Sequence, residues 1–305
     1  MNQHFLQSIA WEKFQQSLGR QTFRQAGNGW EFMAILERGT GNSRLYCPYG
    51  PTAKNEESLH LAIDSLIELA KKYHVTFLRI EPTNPDFAEY LKSHHWKKVT
   101  YQQLQPEHTN VIDLTKSTDQ LMSNMSASNR NLYRNYAKKG LKIHHSANPD
   151  DVKIFLQLIH KVAARTGMRP HNDNYFQRQS ETLFPLGAAS LFYVTYQNTP
   201  ITATIVYDSP SIRYYAHTGT DSNFVKQRGG NVLVAHMLFD AKERGLKLFD
   251  LYGVAPEDSP ANHPWAGFSK FKRSFGGSDV TFGGAWDLPM KPISYQLYRT
   301  YQSLR

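Results

Sequence analysis

A chain of 305 residues that is 40% hydrophobic and 13% aromatic can bury two cores of ordinary size, which excludes a disordered or fibrous protein. Its 35 Lys and Arg outweigh 26 Asp and Glu, and the resulting charge of +9 favours polyanionic partners: nucleic acid, nucleotide phosphates or an anionic membrane face. One cysteine rules out a disulfide framework or a multi-cysteine metal site, and the histidines, paired only at His94-His95 and His144-His145, form no metal set.

The opening Met1-Asn2-Gln3-His4-Phe5-Leu6-Gln7 lacks the charged and then apolar build of a signal peptide, and no run approaches the length of a membrane span. The expected compartment is therefore the cytoplasm, with any membrane contact made from the side. Residues 30–37 and 44–48 read as a strand pair around the turn Gly39-Thr40-Gly41-Asn42, with Cys47 as a small core residue. Leu59, Ile63, Leu66, Ile67 and Ala70 recur at helical spacing and predict a helix over 58–73, followed by a buried strand over 75–80.

Residues 110–114 predict a strand near whose end Asp113 stands, read from its own letters as a strand end and the cap of the next helix. A basic helical stretch follows over 128–139, where Arg130, Arg134 and Lys138 stand at i, i+4 and i+8 with Lys139 beside them, and no acidic residue occurs between Asp119 and Asp150. Such a stripe suits a nucleic-acid phosphate backbone, or is a solvated helix face.

The second half repeats the order of the first. Strands are predicted over 191–196, 201–207 and 212–217, a helix over 230–244 and a buried strand over 247–251. Two similar α/β domains explain a repeat of this size better than a solenoid does. Gln227-Arg228-Gly229-Gly230-Asn231 opens the second helix like an anion-binding loop but lacks its full spacing, which favours a packing role.

The segment Gly267-Phe268-Ser269-Lys270-Phe271-Lys272-Arg273-Ser274-Phe275-Gly276-Gly277 sets Lys272 between aromatic residues ahead of a glycine pair. Alone it also reads as an exposed helix lysine between two core phenylalanines. It follows Phe249-Asp250-Leu251-Tyr252-Gly253-Val254 and His263-Pro264-Trp265-Ala266 and precedes Phe282-Gly283-Gly284-Ala285-Trp286-Asp287. That succession resembles the C-terminal signature of the FemABX aminoacyltransferases.

The resemblance implies an α/β fold of two tandem GNAT (acyl-CoA N-acyltransferase-like) domains, mixed sheets flanked by helices, of the compact type without a helical arm. The expected domains are 1–145, with a final helix over 294–304 in a tail 288–305 that packs back on it, and 146–287. The implied enzyme is an aminoacyltransferase moving an amino acid from aminoacyl-tRNA to the stem-peptide amine of UDP-MurNAc-pentapeptide or lipid II, as a monomer with peripheral contact with the inner membrane face and without a cofactor. Lys272 would stabilise the oxyanion while Phe271 and Phe275 exclude water, and proton removal would fall to the leaving tRNA hydroxyl or to Asp113. Arg165, Arg169, Tyr175, Tyr214, Tyr215, Tyr252 and His108 are implied on the acceptor side, His108 standing where compact members have a tyrosine. The tRNA would lie along Arg130, Arg134, Lys138 and Lys139. The alternatives are a GNAT enzyme with an acyl-CoA donor, and a non-catalytic tRNA or precursor-binding module.

Overall fold

Residues 3–102 and 104–303 are described in a computed structural model of the chain. Contacts divide it into two compact units, a first that runs to Glu107 and resumes at Thr281, and a second, His108–Val280.

The first unit begins with helix α1 (Ile9–Ser17), capped by the Ser8 hydroxyl on the Trp11 amide at 3.1 Å. Strands β1 (Gln21–Gly27), β2 (Trp30–Gly39) and β3 (Asn42–Cys47) form an antiparallel meander, and the short β4 (Thr52–Ala53) pairs with β2. Helix α2 (Glu56–Lys72) starts in a reciprocal Asn55–Ser58 capping box and carries Glu56 and Glu57 in its first turn and Lys71 and Lys72 in its last, as the helix dipole favours. Its Leu59, Ile63, Leu66 and Leu69 are buried on the sheet, and β5 (Phe77–Ile80), buried at every position, lies parallel to β3. Helix α3 (Phe87–Ser93) and β6 (Lys97–Lys98) follow.

The second unit opens with β7 (His108–Asp113), then α4 (Thr118–Asn124), α5 (Ala127–Asn135), β8 (Leu141–Ser146), α6 (Val152–Thr166) and α7 (Asp173–Leu183). The meander β9 (Ala189–Tyr196), β10 (Thr199–Asp208), β11 (Ile212–Thr220) leads into α8 (Gly229–Glu243) and β12 (Leu248–Gly253), which lies parallel to β11. Helix α9 (Ala266–Arg273) and β13 (Ser278–Thr281) complete it. Among the described residues this sheet has seven strands in the order β13-β7-β12-β11-β10-β9-β8. Arg213, fully buried, is neutralised by Asp208 and Asp240, both at 2.7 Å.

The chain then returns to the first sheet. Strand β14 (Trp286–Pro289) inserts between β5 and β6, and helix α10 (Pro292–Ser303) sets Tyr295 and Tyr298 against Phe77, with ring centroids 5.3 and 4.9 Å away. Buried Asp287 of β14 takes a two-pronged bond from buried Arg79 of β5 at 2.7 and 2.8 Å, and the Tyr101 and Tyr295 hydroxyls supply further donors at 2.9 and 3.0 Å. The predicted order of the two halves is found. The expected boundary at 145 differs from the observed one because β7 pairs antiparallel with β12, which carries residues 108–145 into the second sheet. Leu304, the predicted end of the last helix, lies outside the described residues.

Candidate active site

In β12 a single carboxylate, Asp250, interrupts an apolar buried strand. Its side chain is 5% exposed and accepts bonds from the Thr109 hydroxyl of β7 and, at 2.7 Å, from the Tyr252 amide. Tyr252 adopts φ +61°, a conformation costly for a side chain of that size, and the β12–β7 register shifts between Asp250 and Gly253. The strand therefore stops pairing regularly at Gly253 and exposes that carbonyl to another partner.

That partner is Lys272. Three residues of α9 at i, i+3 and i+4 grip the loop after β12. The Ser269 hydroxyl accepts the Ala255 amide at 2.8 Å, the Lys272 ammonium donates to Gly253 O at 2.7 Å, and the Arg273 guanidinium donates to Ala255 O at 2.6 Å. Arg273 is braced in turn by Asp279 at 2.5 Å. The glycine pair closes the arrangement: Gly277 has φ +88°, and a Cβ there would lie 2.6 Å from Val111 O of β7.

Lys272 is only 9% exposed, with its Nζ 5.0 Å from the Phe268 ring centroid and 5.8 Å from that of Tyr215. Burial lowers its pKa to about 8, opposed by the charge of Asp250, and burial raises Asp250 to about 6, opposed by Thr109, the Tyr252 amide and Lys272. Near neutral pH the pair is thus mainly an ammonium and a carboxylate. One ammonium hydrogen is committed to Gly253, and the others can meet a developing negative charge.

Lys272 is thus where an aromatic enclosure was expected, but the enclosing rings differ. Phe271 and Phe275 meet each other at 5.2 Å and pack on the core of the second unit, because a helix turns i−1 away from i and brings i−4, here Phe268, over it. Tyr214 and Tyr215, adjacent in β11, point to opposite faces, so they do not line one groove. Tyr215 faces Lys272, and Tyr214 meets Tyr252 edge-on at 6.1 Å. Tyr175 stacks on His171 at 3.8 Å, near a buried chain in which Gln179 donates to Tyr207 at 2.7 Å and Tyr207 meets His217 at 2.8 Å. Arg165 and Arg169 are exposed at the end of α6 and in the loop beyond it, and the His108 carbonyl accepts the Val254 amide at 2.9 Å.

Asp113 stands apart from this site. The antiparallel register places it opposite Leu248, at the other end of β12 from Gly253, roughly 16 Å away by strand rise. Its carboxylate accepts the Thr115 amide at 2.9 Å and hydroxyl at 2.6 Å, which holds its pKa below the usual range. It ends a strand, and the carboxylate beside Lys272 is Asp250. The basic stripe is also divided. Arg130 donates to the carbonyls of Ser123, at 2.8 Å, and of Met125, closing the end of α4. Helix α5 stops at Asn135, and Lys138 and Lys139 lie in a 3-10 turn ended by Gly140 at φ +75°, so the three cations share no single helix face. Arg134, Lys138 and Lys139 are exposed. Arg228, before α8, bonds Ser128 at 2.6 Å and Asn129 at 3.2 Å, which gives the loop Gln227–Asn231 a packing role.

A sequence model of the FemAB family matches residues 84–198 and 186–303. Lipid II:glycine glycyltransferase of Staphylococcus aureus is 26% identical over 151 residues, 46% of this chain and 36% of that protein, so the match spans about a third of the length of the curated relative. Among solved structures, that of FemX superposes with a TM-score of 0.85 at 18% identity, covering 98% of this chain and 95% of that one. L-PGS from Bacillus licheniformis gives 0.61 at 10% identity over 100% and 99% of the two chains. A tandem GNAT protein from the clavulanic acid biosynthesis pathway gives 0.54 at 14% identity over 87% and 81%. The fold is accordingly a tandem GNAT-like α/β fold.

Proposed function

The chain belongs to the FemAB family, and from that premise we propose that it is an aminoacyltransferase moving an amino acid from aminoacyl-tRNA to the stem-peptide amine of a peptidoglycan precursor. The observation that carries this reading is Lys272: a buried ammonium, enclosed by Phe268 and Tyr215 and fixed to Gly253 O. The donor ester is already activated, so no enzyme nucleophile is needed. The acceptor nitrogen forms a bond to the ester carbonyl carbon, and the carbonyl oxygen becomes an oxyanion beside Lys272. Collapse breaks the bond to the tRNA ribose oxygen. The nitrogen loses one proton and the departing hydroxyl gains one, so the balance closes within the two substrates. The protein's part is to position them and stabilise the oxyanion. Asp250 is a positioning residue, keeping Lys272 charged despite its burial.

The donor's phosphates would be met by Arg134, Lys138 and Lys139, which are exposed, rather than by Arg130, whose guanidinium is committed to α4. The likeness to a lipid II:glycine glycyltransferase supports a lipid-linked acceptor, with the nucleotide-linked precursor as the other candidate. Tyr175, Tyr252 and His108 remain its proposed contacts.

Incubation with charged tRNA and either muramyl-pentapeptide acceptor, followed by mass measurement, tests the proposal. An acceptor heavier by one aminoacyl residue, formed by wild type and lost in Lys272→Met, is expected. Transfer from acyl-CoA in place of charged tRNA, or no product with either acceptor, would overturn it.

A further inference from the structure

Helix α10 is apolar on two sides. Tyr295 and Tyr298 face Phe77 in the first unit, while Ile293, Leu297 and Tyr301, each one turn apart, form a second stripe that is 82, 69 and 58% exposed. Single apolar residues on a surface are ordinary, but three in register along one helix are a feature that solvation does not explain.

The surroundings of this stripe are cationic. On one flank of α10, Lys291 and Ser294 line an open depression of about 620 Å³ together with Arg38, Lys72 and His74. Along the same flank, one turn and two turns on from Ser294, Tyr298 and Gln302 line a second depression, about 650 Å³, with Arg20, Arg38 and Arg44. The one acidic residue among these linings, Glu37, is already held by Arg44 at 2.6 Å and Arg20 at 3.7 Å. Five permanent cations, Arg20, Arg38, Arg44, Lys72 and Lys291, therefore border an apolar ridge with little acidic compensation.

We infer that α10 and its cationic border are a docking surface for an anionic lipid bilayer, in which Ile293, Leu297 and Tyr301 enter the headgroup region while the lysines and arginines meet lipid phosphates. An apolar stripe flanked by cations is the construction of a helix that lies in the plane of a membrane surface. A second copy of the chain fits less well, since a two-fold contact through the stripe would set the same cations against each other. Among the described residues no helix is long and apolar enough to cross a membrane, so the attachment is lateral and reversible. This inference concerns only the first unit and does not rest on the chemistry assigned to Lys272. If the acceptor is lipid-linked, the docking would bring the enzyme to the surface that holds it.

The test is co-sedimentation of the full chain with vesicles of phosphatidylcholine alone and of phosphatidylcholine with phosphatidylglycerol. Binding is expected to the anionic vesicles and to weaken as salt is raised. The double variant Ile293→Ser/Leu297→Ser should lower the partition coefficient by at least about ten-fold, since it removes two apolar side chains from the inserted face. Because both positions are exposed, its melting temperature should match wild type. Lys72→Glu/Lys291→Glu should remove the preference for anionic vesicles. Equal partitioning of the Ser variant and wild type, or equal binding to neutral and anionic vesicles, would overturn the inference. So would a wild-type dimer in sedimentation equilibrium that the Ser variant dissociates, which would assign the stripe to a second copy.

Discussion

Replacing Lys272 by methionine should abolish transfer and, unusually for a buried position, raise stability near neutral pH. Loss of one group that stabilises an oxyanion typically lowers the rate by about 10²–10³. The effect on stability follows from the pKa, about 8 in place of the usual 10.5. Up to pH 8 the lysine is charged in both folded and unfolded chains, and the whole cost of burying that charge, of the order of 3 kcal/mol, weighs on the folded state. Between about 8 and 10.5 the unfolded chain binds more protons than the folded one, so wild-type stability gains with rising pH. Methionine has no such term. It does leave Gly253 O without its donor, which takes back about 1–2 kcal/mol. The variant should thus melt above wild type at pH 7, and the gap should close towards pH 10. Calorimetric or fluorescence melts across that range, with single-turnover transfer at pH 7, measure both halves. A melting difference that does not change with pH would refute the buried-ammonium argument, and transfer within about two-fold of wild type would remove Lys272 from the chemistry.

Asp250→Asn should pull the Lys272 pKa down further and move the alkaline limb of the pH–rate profile to lower pH, a shift that a purely structural role for Asp250 would not produce. Arg130→Ala should cost about 1–3 kcal/mol in denaturant melts by leaving the α4 carbonyls unpaired, with the salt dependence of tRNA affinity unchanged. Arg134→Ala/Lys138→Ala/Lys139→Ala should flatten that dependence at unchanged stability, and the reverse pattern would reassign the stripe. Asp287→Asn should destabilise by about 3–5 kcal/mol because it leaves the Arg79 guanidinium buried and uncompensated; a midpoint shift under 1 kcal/mol would show that Tyr101 and Gln102 suffice to hold it.

What the sequence discloses here is set by how local each cause is. The apolar periodicity of α2 and the buried runs of β5 and β12 are properties of their own segments, and each was found within a few residues. β7 reads as a strand from its own letters, yet its unit depends on pairing with a strand far along the chain, and the boundary at Glu107 follows from that. The same holds at the site. Lys272 stands out because the Phe-Lys segment is contiguous, whereas its companions Tyr215, Thr109 and Asp250 come from three different strands. Asp250 did leave a signal, a lone carboxylate within Phe249-Asp250-Leu251, since a charge in a buried strand requires a partner. For Arg130, helical spacing pointed outward to phosphate, while the acceptors that hold it are carbonyls beyond the preceding turn.

The Arg79–Asp287 pair has a consequence for the order in which the protein is made. A ribosome delivers the chain from one end, so β5 emerges long before β14, and His108–Val280, a continuous stretch, is complete while the first sheet still lacks its inserted strand. Until Asp287 arrives, Arg79 lacks the carboxylate that it pairs with directly in a segment that will otherwise be wholly buried, which disfavours closing the early sheet over it. Vectorial synthesis should therefore finish the inner unit first, with the outer one as the last to become protease-resistant on a stalled nascent chain.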